Sequence, residues 1–152
     1  MSLPARRFVA SAALFALLVA VPARASAPAG RFSASAGVVH DSKTGLNWQQ
    51  AVSTTLYTYA NALIYCSGNV AALPGSGWRL PAIKELETLV DDSVASPGPT
   101  IDASAFPSTP ANFFWSSTPY VPITSDAWYV RFIYGNTGIN AKSNAGAVRC
   151  VR

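Results

Sequence analysis

Two cysteines, Cys66 and Cys150, stand 84 residues apart in a chain of 152 that contains no others, and the segment preceding them decides what they can do. Residues 1–7 carry Arg6 and Arg7 and no acid; residues 8–21 are uncharged; Pro22 closes the run before Ala23-Arg24-Ala25-Ser26. A basic head, an apolar stretch and a small-residue junction, in that order, are the parts of a secretory leader. Spanning ~30 Å of hydrocarbon takes about 20 apolar residues, so this stretch is too short for an anchor. The sequence therefore puts the leader at 1–25 and the mature start at Ser26. The mature protein is expected to be exported (periplasmic, cell-surface or extracellular) with no membrane span after cleavage. Disulfides persist in such compartments, so Cys66 and Cys150 are expected to bridge, two free thiols being the alternative. A bridged pair offers neither a nucleophile nor a metal ligand.

Charge excludes one large class of partner. The formal balance is +4, but Arg6, Arg7 and Arg24 lie in the leader, leaving eight basic residues against seven acids. Nucleic-acid binding requires a clustered phosphate-neutralising surface, and the mature chain has none, so no nucleic-acid partner is expected. Charged residues are 12% of the chain, about half the usual ~25%, and 11% aromatics exclude a disordered tail.

Residues 26–37, rich in Ala, Ser, Pro and Gly, read as a flexible lead-in. Val38-Val39-His40 and Leu46-Asn47-Trp48 flank Asp41-Ser42-Lys43-Thr44-Gly45, a hairpin signal in which Asp bonds its own turn and Gly takes positive φ. Asp41 is the only carboxylate of that loop, which argues against calcium. Thr58 is a candidate N-cap for a helix burying Tyr59, Ala62, Leu63 and Cys66. Trp78-Arg79-Leu80-Pro81 leads into a second helix over 82–91, with Ile83, Leu86, Leu89 and Val90 inward. Six prolines between 97 and 122 leave a long loop with a strand candidate at 113–117. A strand over 127–134 should bury Trp128, Val130, Phe132 and Tyr134. Residues 135–138 turn it, and 147–151 form the last strand. Helices first and strands after, without repeats or βαβ alternation, give an α+β order.

Read in order, Asp41 to Trp48, Tyr65-Cys66, Trp78-Arg79-Leu80-Pro81 with Glu85-Leu86, Phe114-Trp115-Ser116-Ser117-Thr118-Pro119 and Val148-Arg149-Cys150-Val151-Arg152 resemble the Lcl C-terminal domain family of exported bacterial proteins. The resemblance covers 38–152. It implies a C-type-lectin-like fold, two helices packed on short antiparallel sheets with long loops, in which the helix cysteine bridges to the final strand. Trp78, Arg79, Pro81, Glu85 and Trp115 then become framework residues. The family's adhesin namesake implies glycosaminoglycan binding and a collagen stalk; this chain has no Gly-X-Y stalk and little net charge. Where the family commonly has Thr after Arg-Leu-Pro, Ala82 stands here, removing half of a capping box. The Glu-Pro-Asn, Gln-Pro-Asp and Trp-Asn-Asp tripeptides of calcium-dependent lectins do not occur.

Catalysis finds few candidates. His40 is the one histidine, and its neighbour Asp41 should point to the opposite face of a strand. One histidine and a bridged cysteine pair cannot supply a zinc set. The expectation is a non-catalytic binding or adhesion module, without cofactor or metal, for glycans or surface polymers; the alternative is a structural or assembly subunit contacting another surface protein. Tyr120 in the proline-rich loop is the candidate sugar-stacking ring, with Asp126, Asn136 and Asn140 as candidate hydrogen-bonding ligand residues. Arg79 is expected to be a buried structural cation paired with Asp91, Asp92 or Asp102.

Overall fold

A computed structural model describes residue 28 and residues 30–152 of the chain; the expected leader and its expected junction at Ser26 lie outside these residues. Strands β1 (Phe32–Ser35), β2 (Val38–Asp41) and β3 (Asn47–Gln49) form one antiparallel sheet in that order. Helices α1 (Tyr59–Ser67) and α2 (Ile83–Glu87) follow, and β4 (Phe113–Pro119), β5 (Asp126–Arg131) and β6 (Asn136–Ala141) make a second antiparallel meander. The architecture is α+β.

The first sheet corrects the expectation of a flexible lead-in. Phe32 to Ser35 pair with Asp41 to Val38, across a turn in which Ala36 and Gly37 have φ of 50° and 76°. Two successive positive φ values match the right-handed twist of the flanking strands. Arg31 anchors the entry. Its Nε and Nη2 donate to the two carboxylate oxygens of the buried Asp41 at 2.9 and 2.7 Å, and Nη2 also reaches the Thr88 carbonyl at 2.8 Å. Burial alone would push the Asp41 carboxyl up. Donation from Arg31, the Lys43 N–H and the Thr44 hydroxyl outweighs it and holds the group below the usual carboxylate range. The β2–β3 hairpin forms as its turn residues dictate, with Gly45 at φ 73°.

Helix α1 starts after Thr58, but the threonine side chain makes no capping bond. Its buried face is Ala62, Tyr65 and Cys66, while Leu63 turns outward. The disulfide and a bond from Gln49 Nε2 to the Tyr65 hydroxyl fix that rotation. Helix α2 is shorter than expected. After Glu87 the chain continues in i→i+3 turns, Leu89 N–H to the Leu86 carbonyl and Val90 N–H to the Glu87 carbonyl, which still buries Leu89. Its missing N-cap hydroxyl is supplied from elsewhere: Ile83 N–H donates to Thr118 Oγ1 of β4 at 3.0 Å.

The proline-rich loop delivers Ile101 and Phe106 to the core. Strand β5 ends at Arg131, and its inward set is Ala127 and Val130, with Phe132 just beyond; Trp128 is half-buried and Tyr134 is 54% exposed, against expectation. The turn falls at 132–135; of the residues expected to turn, Gly135 does so, while 136–138 begin β6 instead. Gly138 permits this, because a Cβ there would come within 2.5 Å of the Tyr129 hydroxyl lying over it. The expected last strand is an extended segment joined by single bridges: Ala147 beside Phe114, and Val151 between Trp48 and Arg79.

The second sheet separates two cores. One face, with Phe114 and Val130, packs on Leu86, Leu89 and Phe106; the other, with Trp115 and Ala127, packs on Ala62, Trp78 and the disulfide. Cys66 and Cys150 are bridged, with Cα atoms 5.4 Å apart. Closing a loop of 84 residues removes unfolded-state entropy worth about 4.5 kcal/mol. Replacing both cysteines by alanine should therefore lower stability by about 3–5 kcal/mol, measured by urea unfolding; a loss below ~1 kcal/mol would refute the bridge as a main constraint.

Candidate functional site

The framework residues set what the surface can present. Trp78 is buried, with Nε1 donating to the Pro74 carbonyl at 3.2 Å, and the Arg152 guanidinium lies 5.4 Å from its ring. Trp115 is buried, with Nε1 donating to the Tyr57 carbonyl at 2.9 Å. Pro81 is buried and its carbonyl accepts from Ser117 N–H. Arg79 departs from expectation. Its side chain is 48% exposed, and its partner is Glu85 rather than Asp91, Asp92 or Asp102, in a two-pronged pair at 2.7 and 2.6 Å. Glu85 also accepts from the Ala82 N–H at 2.8 Å, the half of the capping box that needs no hydroxyl. The pair raises the Arg79 pKa and lowers that of Glu85.

The buried cation is Arg149, which the sequence reading did not single out beyond its motif. It is fully buried, with Nη1 donating to the Gln49 and Gln50 carbonyls at 2.8 Å each and Nη2 to the Thr109 hydroxyl at 3.0 Å. The guanidinium lies 4.5 Å from the Phe106 ring centre and 5.7 Å from that of Phe114. Desolvation pushes its pKa down to about 9, which leaves it a cation at neutral pH. Its acceptors are carbonyls and a hydroxyl, so it acts as a clamp that closes the proline-rich loop onto the end of β3.

Of the four candidate ligand residues, the structure gathers two. Tyr120 follows β4, and its ring meets Trp128 edge-on at 5.4 Å. Asp126 opens β5, and its carbonyl accepts from Tyr120 N–H. Strand alternation puts Asp126 on the Trp128 face. Ile139 stands directly across from Trp128 on β6 and is 37% exposed. Tyr120, Trp128, Ile139 and Asp126 thus form a ledge at one end of the second sheet. Asn140 pairs with Ala127, so it lies on the opposite face, where its Oδ1 accepts from Asn144 Nδ2 at 2.7 Å. Asn136 pairs with Arg131 at the other end of the sheet, four residues and about 13 Å from Asn140 along the strand. The four do not make one site. Trp128, expected in the core, is the ledge residue that the sequence reading missed.

His40 is exposed and its Nδ1 lies 3.2 Å from Asn47 Oδ1. Asp41 faces inward toward Arg31, so the two form no acid–base pair. Among the described residues no group of three or more His, Cys, Asp or Glu is placed to hold a metal ion.

The two arginines give opposite predictions. Arg149→Ala strands two backbone acceptors and should cost about 3–5 kcal/mol, with little rescue by Arg149→Lys because an ammonium cannot reproduce the fork. Arg79→Ala breaks a half-exposed pair and should cost about 0.2–1 kcal/mol. Because the folded-state pKa of Glu85 is depressed, that contribution exists above the ordinary glutamate range and is lost as pH falls through the folded value. Urea melts at neutral pH check both magnitudes, and an acid series checks the Arg79 pair; an Arg79→Ala penalty that does not decline as pH falls would contradict the assignment.

Comparison with protein families places the chain. The Lcl C-terminal domain matches residues 37–152, and the chain belongs to this family. A search of curated proteins finds no match.

Proposed function

From this membership and the geometry of the ledge, we propose that the protein is an exported, non-catalytic binding module of C-type-lectin-like fold. The reading of residues 1–25 as a leader supports export, as does the disulfide; no helix among the described residues is long and apolar enough to cross a membrane. The fold assignment draws its support from a helix cysteine bridged to the final segment and from two small antiparallel sheets joined by long ordered loops.

One observation carries the function: Tyr120 and Trp128 meet edge-on at the surface end of a sheet whose other tryptophan, Trp115, is buried. Aromatic rings offer apolar contact at small entropic cost, and the neighbouring carboxylate of Asp126 supplies an acceptor. That combination suits the apolar face and hydroxyl rim of a sugar in a glycan or surface polymer. A carboxylate beside the rings, and eight basic against seven acidic residues in the mature chain, weigh against glycosaminoglycans and other polyanions.

A second reading, assembly into a larger surface structure, is favoured by α1. It carries no charged residue, and its outward Leu63 and Ile64 are 37% and 64% exposed, a surface suited to another protein.

Glycan-array binding of the disulfide-intact protein, with and without chelator, separates the two. The binding module predicts saturable binding to a neutral glycan, unaffected by chelator and reduced at least ~10-fold by Tyr120→Ala, a loss of about 1.4 kcal/mol, with the melting temperature unchanged. Silence on the array together with concentration-dependent self-association would favour assembly instead.

A further inference from the structure

We infer that a second ligand site, specific for an uncharged saccharide, lies in the groove between the first sheet and the end of α1, whose lining shares no residue with the Tyr120–Trp128 ledge. The groove has a volume of about 560 Å³, within the ~300–1,000 Å³ range of small-molecule sites. Its walls come from the β1–β2 turn, the segment after β3, and the turn that follows α1.

The chemistry of the walls selects the ligand. No lining residue carries a formal charge. A polyanion, or a peptide recognised by its terminus, would find no counter-charge there, and burying an unpaired charge is costly. The polar groups are instead hydroxyls and an amide: Ser53, Thr54, Tyr57, Tyr65 and Gln49. The rings of Tyr57 and Tyr65 stand 4.8 Å apart and tilted by 40°, and both residues line the groove.

Gln49 orients this set. Its Oε1 accepts from Cys150 N–H at 3.1 Å, so its Nε2 is the donor to the Tyr65 hydroxyl, also at 3.1 Å. A hydroxyl that accepts this bond still has its own proton to donate. Tyr65 lines the groove, and in this proposal its remaining proton is the donor to an incoming hydroxyl. The Tyr57 hydroxyl and Ser53 Oγ lie 3.5 Å apart, close to the limit of a hydrogen bond, and are readily rearranged around a ligand. Groups that both donate and accept match sugar hydroxyls, which do the same.

The test uses the disulfide-intact mature protein and NMR chemical-shift titration with cellobiose, maltose and N,N′-diacetylchitobiose. A heparin disaccharide and a capped neutral tripeptide serve as comparison arms. At least one neutral disaccharide should give saturable shifts at Gln49, Tyr57 and Tyr65 that do not change with salt. Tyr65→Phe, which keeps the ring and removes the proton, should weaken that binding about 5–10-fold. Val70→Trp should abolish it; Val70 is 63% exposed on the groove wall, so this variant obstructs the groove without touching the core and decides the matter should Tyr65→Phe lower the melting temperature. Tyr120→Ala should leave groove binding intact, so failure of the ledge reading is distinguishable from failure of this one. The inference is overturned by the absence of saturable shifts with all three disaccharides, by stronger binding of the heparin disaccharide or the tripeptide, or by saccharide binding that survives Val70→Trp.

Discussion

Residues 146–152 hold the two halves of the molecule together, because this extended segment is bonded in turn to several layers. Gly146 exchanges hydrogen bonds with Tyr57; Ala147 accepts from Trp115 and donates to Phe113; Val151 exchanges with Arg79 and Arg152 with Asn47. Cys150 is bridged to α1, while its backbone is paired on both sides by Gln49, through the main chain and the side-chain amide. An extended chain buried on both faces must satisfy every N–H and C=O without water. Here the partners come from the first sheet, the residues before α1, the second sheet and the approach to α2. Side chains carry the same logic further: Val148 and Val151 fill opposite cores, and Arg149 ties the proline-rich loop to the end of β3.

This arrangement explains where binding surfaces can form. The centre of the domain is committed to holding two small sheets that share no strand pairing with each other. What remains available is the outside: the free end of the second sheet, where Tyr120, Asp126 and Trp128 emerge, and the groove where the first sheet meets the end of α1. Gln49 belongs to both worlds. Its backbone and Oε1 hold Cys150, while its Nε2 holds the hydroxyl of Tyr65, a residue that lines the groove. A surface built on such a residue inherits the rigidity of the core, which lowers the entropic cost of binding.

Much of the frame was legible because its causes are local. Asp41 and Gly45 specify the β2–β3 turn, and the spacing of Ala62 and Cys66 marks a helical face. Two cysteines behind a stretch with the pattern of a secretory leader leave one bridge to expect. The unread parts have distant causes. Strand β1 has the composition of a linker, and what orders it is Arg31 meeting Asp41 ten residues on and the Thr88 carbonyl much further away. Strand β6 contains Asn136, Thr137 and Gly138, poor strand formers by intrinsic preference, and it exists because β5 offers a complete partner and Tyr129 covers the glycine. Arg149 was hidden by the usual exposure of arginine. The available signal was its setting as the single charge in Ala147-Val148-Arg149-Cys150-Val151, a run apolar on both strand faces. The candidate ligand residues illustrate register: Asp126 and Asn140 lie at the same end of the sheet but on opposite faces, and only the pairing of Asn140 with Ala127 reveals it.

Native-state hydrogen exchange, read amide by amide, tests the central role of segment 146–152 most directly. Amides that open only by global unfolding report the full stability, whereas edges and loops open at lower cost. The account predicts that the amides of Ala147, Cys150 and Val151, with those of Asn47, Gln49, Arg79 and Trp115 bonded to the same segment, exchange together at the free energy of global unfolding. Those of the edge strand β6 and of residues 120–125 should exchange earlier. Release of the 146–152 amides before those that pair β4 with β5 would contradict it, since the second sheet would then be holding the segment rather than depending on it.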